Sequence, residues 1–317
     1  MTISIPRAGF YYLYRPFWKA FYERLGFEVA ESPKTTKDIL DKGLRLADNE
    51  MCLPVKIFHA HVLYLKEKFP NNRILVPQMD EVFFGDRSRG TSKYFCPYFV
   101  GMPDVLRAEL PETKLLSPVM SFYEGEIEKE PWIKFAKQKV SGAQAEKIVD
   151  KALKSQKDFE VKVSRSKILP TDIIDDEKNT PLGKKIIGVV GRPYTIYEDY
   201  CNLDLMKKIS NHNLGVETPE MVPSEVVKGE LEELGENKRS HWHLTNREIG
   251  AMNHFSKRED VVGIIYLIPF NCGPDFLVEE IFVKNLRRKK PVIVLSMDES
   301  TNEALFQTRL EAFFDML

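Results

Sequence analysis

The sequence predicts an α/β protein made of two Rossmann-like parallel-sheet units joined by a helical segment, with a site in the cleft between the units. Short apolar runs alternate with helical patterns, which is typical of βαβ crossovers. A segment beginning near residue 184 repeats the order of elements found at the N-terminus. The stretch 264–275 (IIYLIPFNCGPD) reads as a buried strand, a tight turn and a helix start. Such a turn lies at the carboxyl end of a sheet, where ligands usually bind.

The first unit opens with a short apolar strand at 2–6, after which Arg7 lies in a turn. Helical periodicity then runs over 16–25. Pro16 suits the first turn of a helix because its missing N–H costs nothing there, and Gly26 suits the position past the last turn. The sequence therefore predicts a helix that starts at Pro16 and ends before Gly26.

The first unit is assigned to residues 1–122. A strand at 73–77 stops at a proline, and the polar, glycine-containing stretch 78–93 is predicted to form a loop. From about residue 124 the pattern is helical and highly charged, so 123–180 are assigned to a helical segment and linker.

The second unit, assigned to residues 181–317, repeats the first. Both units show a strand, an arginine-containing turn, an aromatic segment, a helix, Leu-Gly and a strand. Arg7 and Arg192 occupy equivalent turns, where an arginine could bind a phosphate or carboxylate or screen the charge of a cofactor. A salt bridge is the alternative for each. Tyr194 is grouped with them as a cofactor-binding candidate, and packing is its alternative.

Length and composition limit the classes of function. A chain of 317 residues is long enough for two domains with cores of their own. A hydrophobic content of 43% and a net charge of −1 indicate a globular protein without a nucleic-acid partner. Arg7 and Arg15 interrupt the N-terminal segment, which excludes a signal peptide, and no apolar run reaches the roughly 18 residues needed to span a bilayer. We therefore expect a cytoplasmic protein with no membrane partner.

Three of the four cysteines share one local pattern, Cys52-Leu-Pro, Cys96-Pro and Cys272-Gly-Pro. Proline is favoured at helix starts, and the N-terminus of a helix favours a thiolate. Three such thiolates could hold an iron–sulfur cluster, whereas each cysteine alone could be a small buried hydrophobe. The absence of any CxxC pair excludes a zinc ribbon and a bacterial ferredoxin motif. Cys201 has no following proline and is expected to pack in the core, with a role as a fourth ligand left open.

Several stretches resemble one family. They are IPRAGFYYLYRPFWKAFYERLGFEV, NEMCLPVK, YFCPYFVGMPDV, GVVGRPYTIYEDY, IPFNCGPD and TRLEAFFDML. Together they resemble the domain found in proteins related to 2-hydroxyacyl-CoA dehydratases and their activases, over nearly the whole chain. The resemblance implies an oxygen-sensitive [4Fe-4S] cluster of the kind found in anaerobic metabolism, with Cys52, Cys96 and Cys272 as its ligands.

The resemblance also implies a function and partners. The chain is expected to be an iron–sulfur redox protein in low-potential electron transfer or reductive acyl-CoA chemistry, with an acyl-CoA-like substrate. An ATP-dependent activase or a second subunit is the expected partner, because the chain shows no phosphate-loop or sugar-kinase-like pattern of its own. Whether the chain is catalytic or only carries electrons stays open. The alternative is a non-catalytic, two-domain binding or assembly module without a cluster.

Overall fold

The computed structural model describes residues 1–85 and 91–317, and the chain forms two compact units. The first unit comprises Met1–Asn49, Val55–Phe159 and His241–His243. The second comprises Glu50–Pro54, Glu160–Ser240 and Leu244–Leu317. The predicted boundaries at residues 122 and 180 divide the chain by sequence pattern, whereas these units divide it by compactness. The predicted domain boundaries therefore stay a prediction.

Among the described residues, eight strands precede the long helix that ends at residue 166. They are β1 (Thr2–Ile5), β2 (Glu28–Glu31), β3 (Arg73–Leu75), β4 (Gln78–Phe84), β5 (Thr91–Tyr94), β6 (Leu115–Leu116), β7 (Val119–Tyr123) and β8 (Glu126–Ile127). The helices of the same stretch are α1 (Tyr11–Arg24), α2 (Lys37–Leu44), α3 (Leu53–Lys68), α4 (Pro97–Glu109), α5 (Glu130–Ala136) and α6 (Gly142–Ser166).

The first sheet is parallel throughout and has the strand order β2-β1-β3-β6. Ile3 of β1 pairs with Val29 of β2 on one side and with Arg73 of β3 on the other. Parallel neighbours need crossover connections, and α1 supplies the one between β1 and β2. The predicted parallel-sheet unit is thus confirmed for the first unit.

The predicted start of the first helix at Pro16 is wrong. Helix α1 begins at Tyr11, and Pro16 lies inside it. A proline inside a helix removes one hydrogen bond, but α1 also buries the rings of Tyr11, Phe17 and Phe21, which offsets that cost. Gly26 follows the helix with a φ of +84°, as predicted for the residue past its end.

The predicted loop at 78–93 is also wrong where the structure describes it; residues 86–90 lie outside the described part. Strands β4 and β5 belong to a second sheet of the first unit, ordered β5-β4-β7-β8. Strand β4 is parallel to β7 and antiparallel to β5. It forms despite its polar residues because Met79 and Val82 are buried in the core.

Helix α5 belongs to the first unit through an aromatic cluster. The Trp132 ring stands edge-on to Phe17 at 4.7 Å and to Phe21 at 4.9 Å between centroids. Edge-to-face pairs of this kind add to the stabilisation that comes from area burial. Part of the predicted helical segment therefore packs against α1.

The second unit contains one parallel sheet. Its strands are β9 (Ile186–Gly191), β10 (Gly215–Glu217), β11 (Val261–Pro269) and β12 (Val292–Met297), in the order β10-β9-β11-β12. When the strands are numbered within each sheet, both parallel sheets have the order 2-1-3-4. The repeat predicted from the sequence is therefore present in the topology.

The helices of the second unit surround that sheet. They are α7 (Pro170–Asp175), α8 (Pro193–Ile196), α9 (Asp199–Asn202), α10 (Leu205–Asn211), α11 (Ser224–Leu234), α12 (His243–Lys257), α13 (Gly273–Val278), α14 (Lys284–Leu286) and α15 (Glu303–Phe314). Short 3₁₀ turns occupy Pro219–Met221 and Glu236–Lys238, and a π-helical turn, Glu279–Val283, joins α13 to α14. Across the described ranges, no helix is both long enough and apolar enough to cross a membrane.

Candidate functional site

Arg7 lies at the carboxyl end of β1, as its predicted turn requires. Its backbone N–H donates to Ser32 Oγ at 2.7 Å, which ties the end of β1 to the end of β2. Its guanidinium carbon lies 5.5 Å from the centroid of the Tyr11 ring, within the range of a cation–π contact. The Tyr11 hydroxyl donates to Glu31 at 2.6 Å. Arg7 is thus largely buried in a packed polar environment, and its role in cofactor binding stays a prediction.

His61 of α3 belongs to the same polar environment, because it contacts Ser32, the residue that accepts from the Arg7 backbone. Its Nδ1 lies 2.7 Å from Ser32 Oγ, and its Nε2 lies 2.9 Å from Thr35 Oγ1. Burial, helped by the positive charge of Arg7, lowers the pKa of His61 to about 3. His61 is therefore a neutral, hydrogen-bonded core residue.

The pKa of His61 predicts acid-sensitive stability of the first unit. An unfolded histidine titrates near pH 6.5, so this contribution is complete above that pH and is lost as the pH falls toward 3, at about 1.4 kcal/mol per pH unit. His61→Gln replaces the imidazole by an amide that can make both hydrogen bonds, and it removes the titratable group. Between pH 7 and pH 5 the free energy of unfolding should fall less for this variant than for the wild type. The expected difference between the two falls is about 2 kcal/mol.

Denaturant unfolding at both pH values measures this difference. His241→Gln is the matched control because His241 is exposed, and it should follow the wild-type profile. Parallel pH profiles for His61→Gln and the wild type would show that the neutral His61 contributes nothing to acid sensitivity.

Arg192 occupies the equivalent turn of the second unit, at the carboxyl end of β9. Gly191 precedes it with a φ of +154°, a conformation that residues with a side chain rarely adopt. The Arg192 guanidinium is 4% exposed. Its Nη2 donates to Asp275 Oδ1 at 2.6 Å and to Thr245 Oγ1 at 2.7 Å, and Nη1 lies 3.3 Å from Glu248 Oε1. Arg192 is therefore engaged inside the unit by two carboxyl groups.

Burial favours the neutral form of one of the two carboxyl groups around Arg192. Burial raises the pKa of Glu248 well above its usual range, and the nearby charge of Asp275 adds to that shift while Arg192 opposes it. Glu248 Oε1 and Asp275 Oδ2 are buried and accept no hydrogen bond from any described residue. A proton on Glu248 satisfies this arrangement, because the protonated group can donate to Asp275. A neutral Glu248 leaves fewer charges to bury beside Arg192.

Cys272 borders this buried cluster. It is half-buried and occupies the N-cap position of α13, directly after β11. Burial and then the charge of Asp275 raise the pKa of its thiol far above the usual range. Arg192 and the backbone N–H of Asp275 act in the opposite direction and favour the thiolate. The predicted strand–turn–helix at 264–275 is confirmed, and its turn places Cys272 beside Arg192.

Cys52 and Cys201 lie in the same unit as Cys272. Cys201 is fully buried, and burial, followed by the charges of Glu198 and Cys52, raises the pKa of its thiol well above the usual range. Because the charge of Cys52 acts on the Cys201 thiol, these two cysteines lie near each other. The Asn271 side chain also donates to the carbonyl of Glu50 at 3.5 Å, which connects the Cys272 turn to the Cys52 turn.

Cys96 belongs to the first unit and is the N-cap residue of α4, with Pro97 in the first turn. The backbone N–H groups of Phe99 and Val100 bond to its carbonyl at 2.9 and 3.1 Å. Helix α3 likewise begins at Leu53, immediately after Cys52. All three proline-associated cysteines therefore directly precede a helix. Within residues 1–85 and 91–317, however, no three His, Cys, Asp or Glu side chains form a group that could hold a metal ion.

Tyr194 is buried in α8, close to Arg192. The neighbouring Tyr197 donates its hydroxyl to Glu220, which follows β10. Neither Glu220 nor Glu248 was among the residues that the sequence singled out. Local sequence gives little signal for either residue. Helical periodicity places Glu248 on the buried side of α12, together with Leu244 and Ile249.

Comparisons with known proteins add a family. The model of the family described as the CoA enzyme activase uncharacterised domain matches residues 2–222. No curated protein matches at a significant level. Among solved structures, the chain is similar to tagatose-6-phosphate ketose/aldose isomerase from Escherichia coli, with 8% identity over 99% of this chain and 79% of that chain. The TM-score of 0.23 is too low to support an argument about fold or function.

Proposed function

We propose that this chain, which belongs to the CoA enzyme activase uncharacterised domain family, binds a [4Fe-4S] cluster through Cys52, Cys96 and Cys272. It serves as an iron–sulfur redox protein in low-potential electron transfer or reductive acyl-CoA chemistry. The family match covers Cys52 and Cys96, and Cys272 lies beyond its end.

The observation that carries this proposal is the shared position of the three cysteines. Each directly precedes a helix, α3, α4 or α13. Free N–H groups and the dipole at a helix N-terminus stabilise anionic sulfur. Cysteine thiolates are the ligands of iron–sulfur clusters, so the donor chemistry of these residues fits such a cluster.

Two groups beside Cys272 support a thiolate there, against the burial and the Asp275 charge that raise the pKa of its thiol. The Arg192 guanidinium and the backbone N–H of Asp275 both favour negative charge on this sulfur. Positive charge and N–H donors near the ligand sulfurs are among the features by which proteins tune a cluster. A bound cluster would supply a one-electron carrier, and Arg192 and Asp275 would hold the Cys272 ligand in place beside it.

The partners follow from the same family. An acyl-CoA-like molecule is the proposed substrate, and an ATP-dependent activase or a second subunit is the proposed source of electrons. The chain itself has no phosphate-loop pattern, so ATP hydrolysis is assigned to the partner.

Anaerobic purification followed by iron and sulfide analysis tests the proposal. We expect about four irons and four sulfides per chain, a brown colour and absorbance near 400 nm, as a single cubane requires. Protein purified without oxygen that contains neither iron nor sulfide would contradict the proposal.

A non-catalytic binding or assembly module is the second candidate function. This candidate is favoured because no three His, Cys, Asp or Glu side chains among the described residues lie close enough together to hold a metal ion. This candidate predicts colourless protein under the same anaerobic conditions, together with unchanged folding when Cys52, Cys96 and Cys272 are replaced by alanine.

A further inference from the structure

Asn271, which directly precedes Cys272, has a backbone conformation that few residues adopt. Its φ of +66° lies in the left-handed region, where a Cβ is usually disfavoured. Two backbone hydrogen bonds flank this position. The Phe270 N–H donates to the Met297 carbonyl at 2.8 Å, and the Cys272 N–H donates to the Pro269 carbonyl at 3.2 Å. The Asn271 side chain therefore projects from a turn that is held on both sides.

The left-handed conformation alone does not require asparagine at position 271. Glycine and aspartate also adopt this conformation readily. Of these three residue types, only asparagine has a side-chain N–H that can donate to a carbonyl group. Asn271 uses this donor, because its Nδ2 donates to the carbonyl oxygen of Glu50 at 3.5 Å, across 221 residues of the chain. The residue therefore meets a backbone requirement and makes a long-range contact.

The segment that accepts this hydrogen bond carries Cys52. Glu50–Pro54 belongs to the second unit, although Asn49 before it and Val55 after it belong to the first. Contacts within the second unit therefore hold these five residues. Cys52 itself is only 8% exposed. The contact with Asn271 joins this segment to the turn that bears Cys272.

We propose that Asn271 is a positioning residue, which holds the Cys52 turn beside the Cys272 turn. Two of the three proposed cluster ligands are thereby brought together within one unit. The ligand roles of these two cysteines rest on the proposed function, whereas the contact between their turns does not. Asn271 acts through the two cysteines and is not itself a ligand.

The strength of the contact sets the size of the expected effect. Asn271 and Glu50 are both exposed, so water competes for their hydrogen bond and its net contribution is modest. Loss of the contact should let the Cys52 turn open more often without unfolding the unit. We expect the Cys52 thiol to become accessible about two- to tenfold more often, as the loss of one hydrogen bond implies.

Alkylation by iodoacetamide, followed residue by residue with mass spectrometry, measures this accessibility. The full chain is purified without oxygen and treated with a chelator, so that no bound iron protects a thiol. Asn271→Gly keeps the backbone conformation and removes the side-chain donor. We expect its Cys52 to react about two- to tenfold faster than that of the wild type. Cys96, in the first unit, should react at the wild-type rate.

Asn213→Gly is the matched control for Asn271→Gly. Asn213 is also exposed in the second unit and also has a left-handed backbone, with a φ of +58°. This variant should therefore keep the wild-type rate at Cys52. A wild-type rate in Asn271→Gly would overturn the proposal, and so would an equal increase in Asn213→Gly. Circular dichroism of each variant verifies that it is folded.

Iron release to the chelator separates the role of Asn271 from the existence of the cluster. If the wild type holds iron, Asn271→Gly should release it faster than both the wild type and Asn213→Gly. Wild-type protein without iron would contradict the cluster, and the alkylation rates would still decide the role of Asn271. Iron in the wild type, together with unchanged alkylation and iron release in Asn271→Gly, would contradict the role of Asn271 alone.

Discussion

Replacing Arg192 by alanine is expected to lower the free energy of unfolding by about 3–5 kcal/mol, the usual cost of breaking a buried ion pair. The loss is large because Asp275 is fully buried and would lose the guanidinium group that it contacts at 2.6 Å. Denaturant unfolding at neutral pH, with the slope checked for two-state behaviour, measures the change.

Two variants frame the result for Arg192. Arg192→Lys keeps the positive charge but loses the planar fork that reaches Asp275 and Thr245, so an intermediate loss is expected. Arg107→Ala is the matched surface control. Arg107 is half-exposed and pairs with exposed Asp104, and such pairs contribute about 0–1 kcal/mol. An Arg192→Ala loss no larger than that of Arg107→Ala would contradict the buried ion pair.

Replacing Gly191 by alanine is expected to cost about 2–5 kcal/mol, since it combines backbone strain with overpacking. A Cβ at this position would lie 2.3 Å from the carbonyl oxygen of Leu267 and 2.9 Å from a methyl carbon of Ile196. The first neighbour is backbone of β11, which pairs with Gly191 in register and cannot rotate away. The end of β9 would have to shift, and Arg192 would shift with it.

Thermal or denaturant unfolding of Gly191→Ala measures this cost. Gly229→Ala is the matched control, because Gly229 lies in α11 and a Cβ there would meet no atom within 4 Å. Alanine in an open helical position should leave stability unchanged or raise it by up to about 1 kcal/mol. Equal stability of the two variants would show that the close approach of β9 and β11 at Gly191 is not a constraint.

The sequence predicted what depends on local pattern. Alternating apolar runs and helical segments indicated two parallel sheets, and both were found with the same strand order. The turn at Cys272 was predicted from an apolar run that ends at Pro269, followed by Gly273 and Pro274 near a helix start. In each case the signal comes from residues within one strand or one turn.

The sequence did not predict what depends on distant partners. Strand β4 was predicted to be a loop because the stretch 78–93 is polar and contains glycine. Its partner strand, β7, lies about forty residues further along the chain. For Arg192 the sequence left ligand binding and a salt bridge open, but it did not indicate the partners Glu248 and Asp275, which lie 56 and 83 residues later in the chain. No periodicity relates residues so far apart, so such partners emerge only from the folded chain.

Iron content of two cysteine variants tests the central claim most directly. Both are purified without oxygen and compared with the wild type. The triple variant of Cys52, Cys96 and Cys272 to alanine should contain no iron, because it removes every proposed ligand. Cys201→Ala should keep most of the wild-type iron, since Cys201 is a buried neighbour of Cys52 and not a proposed ligand. Equal loss of iron in both variants would contradict the assignment, as would full iron content in the triple variant.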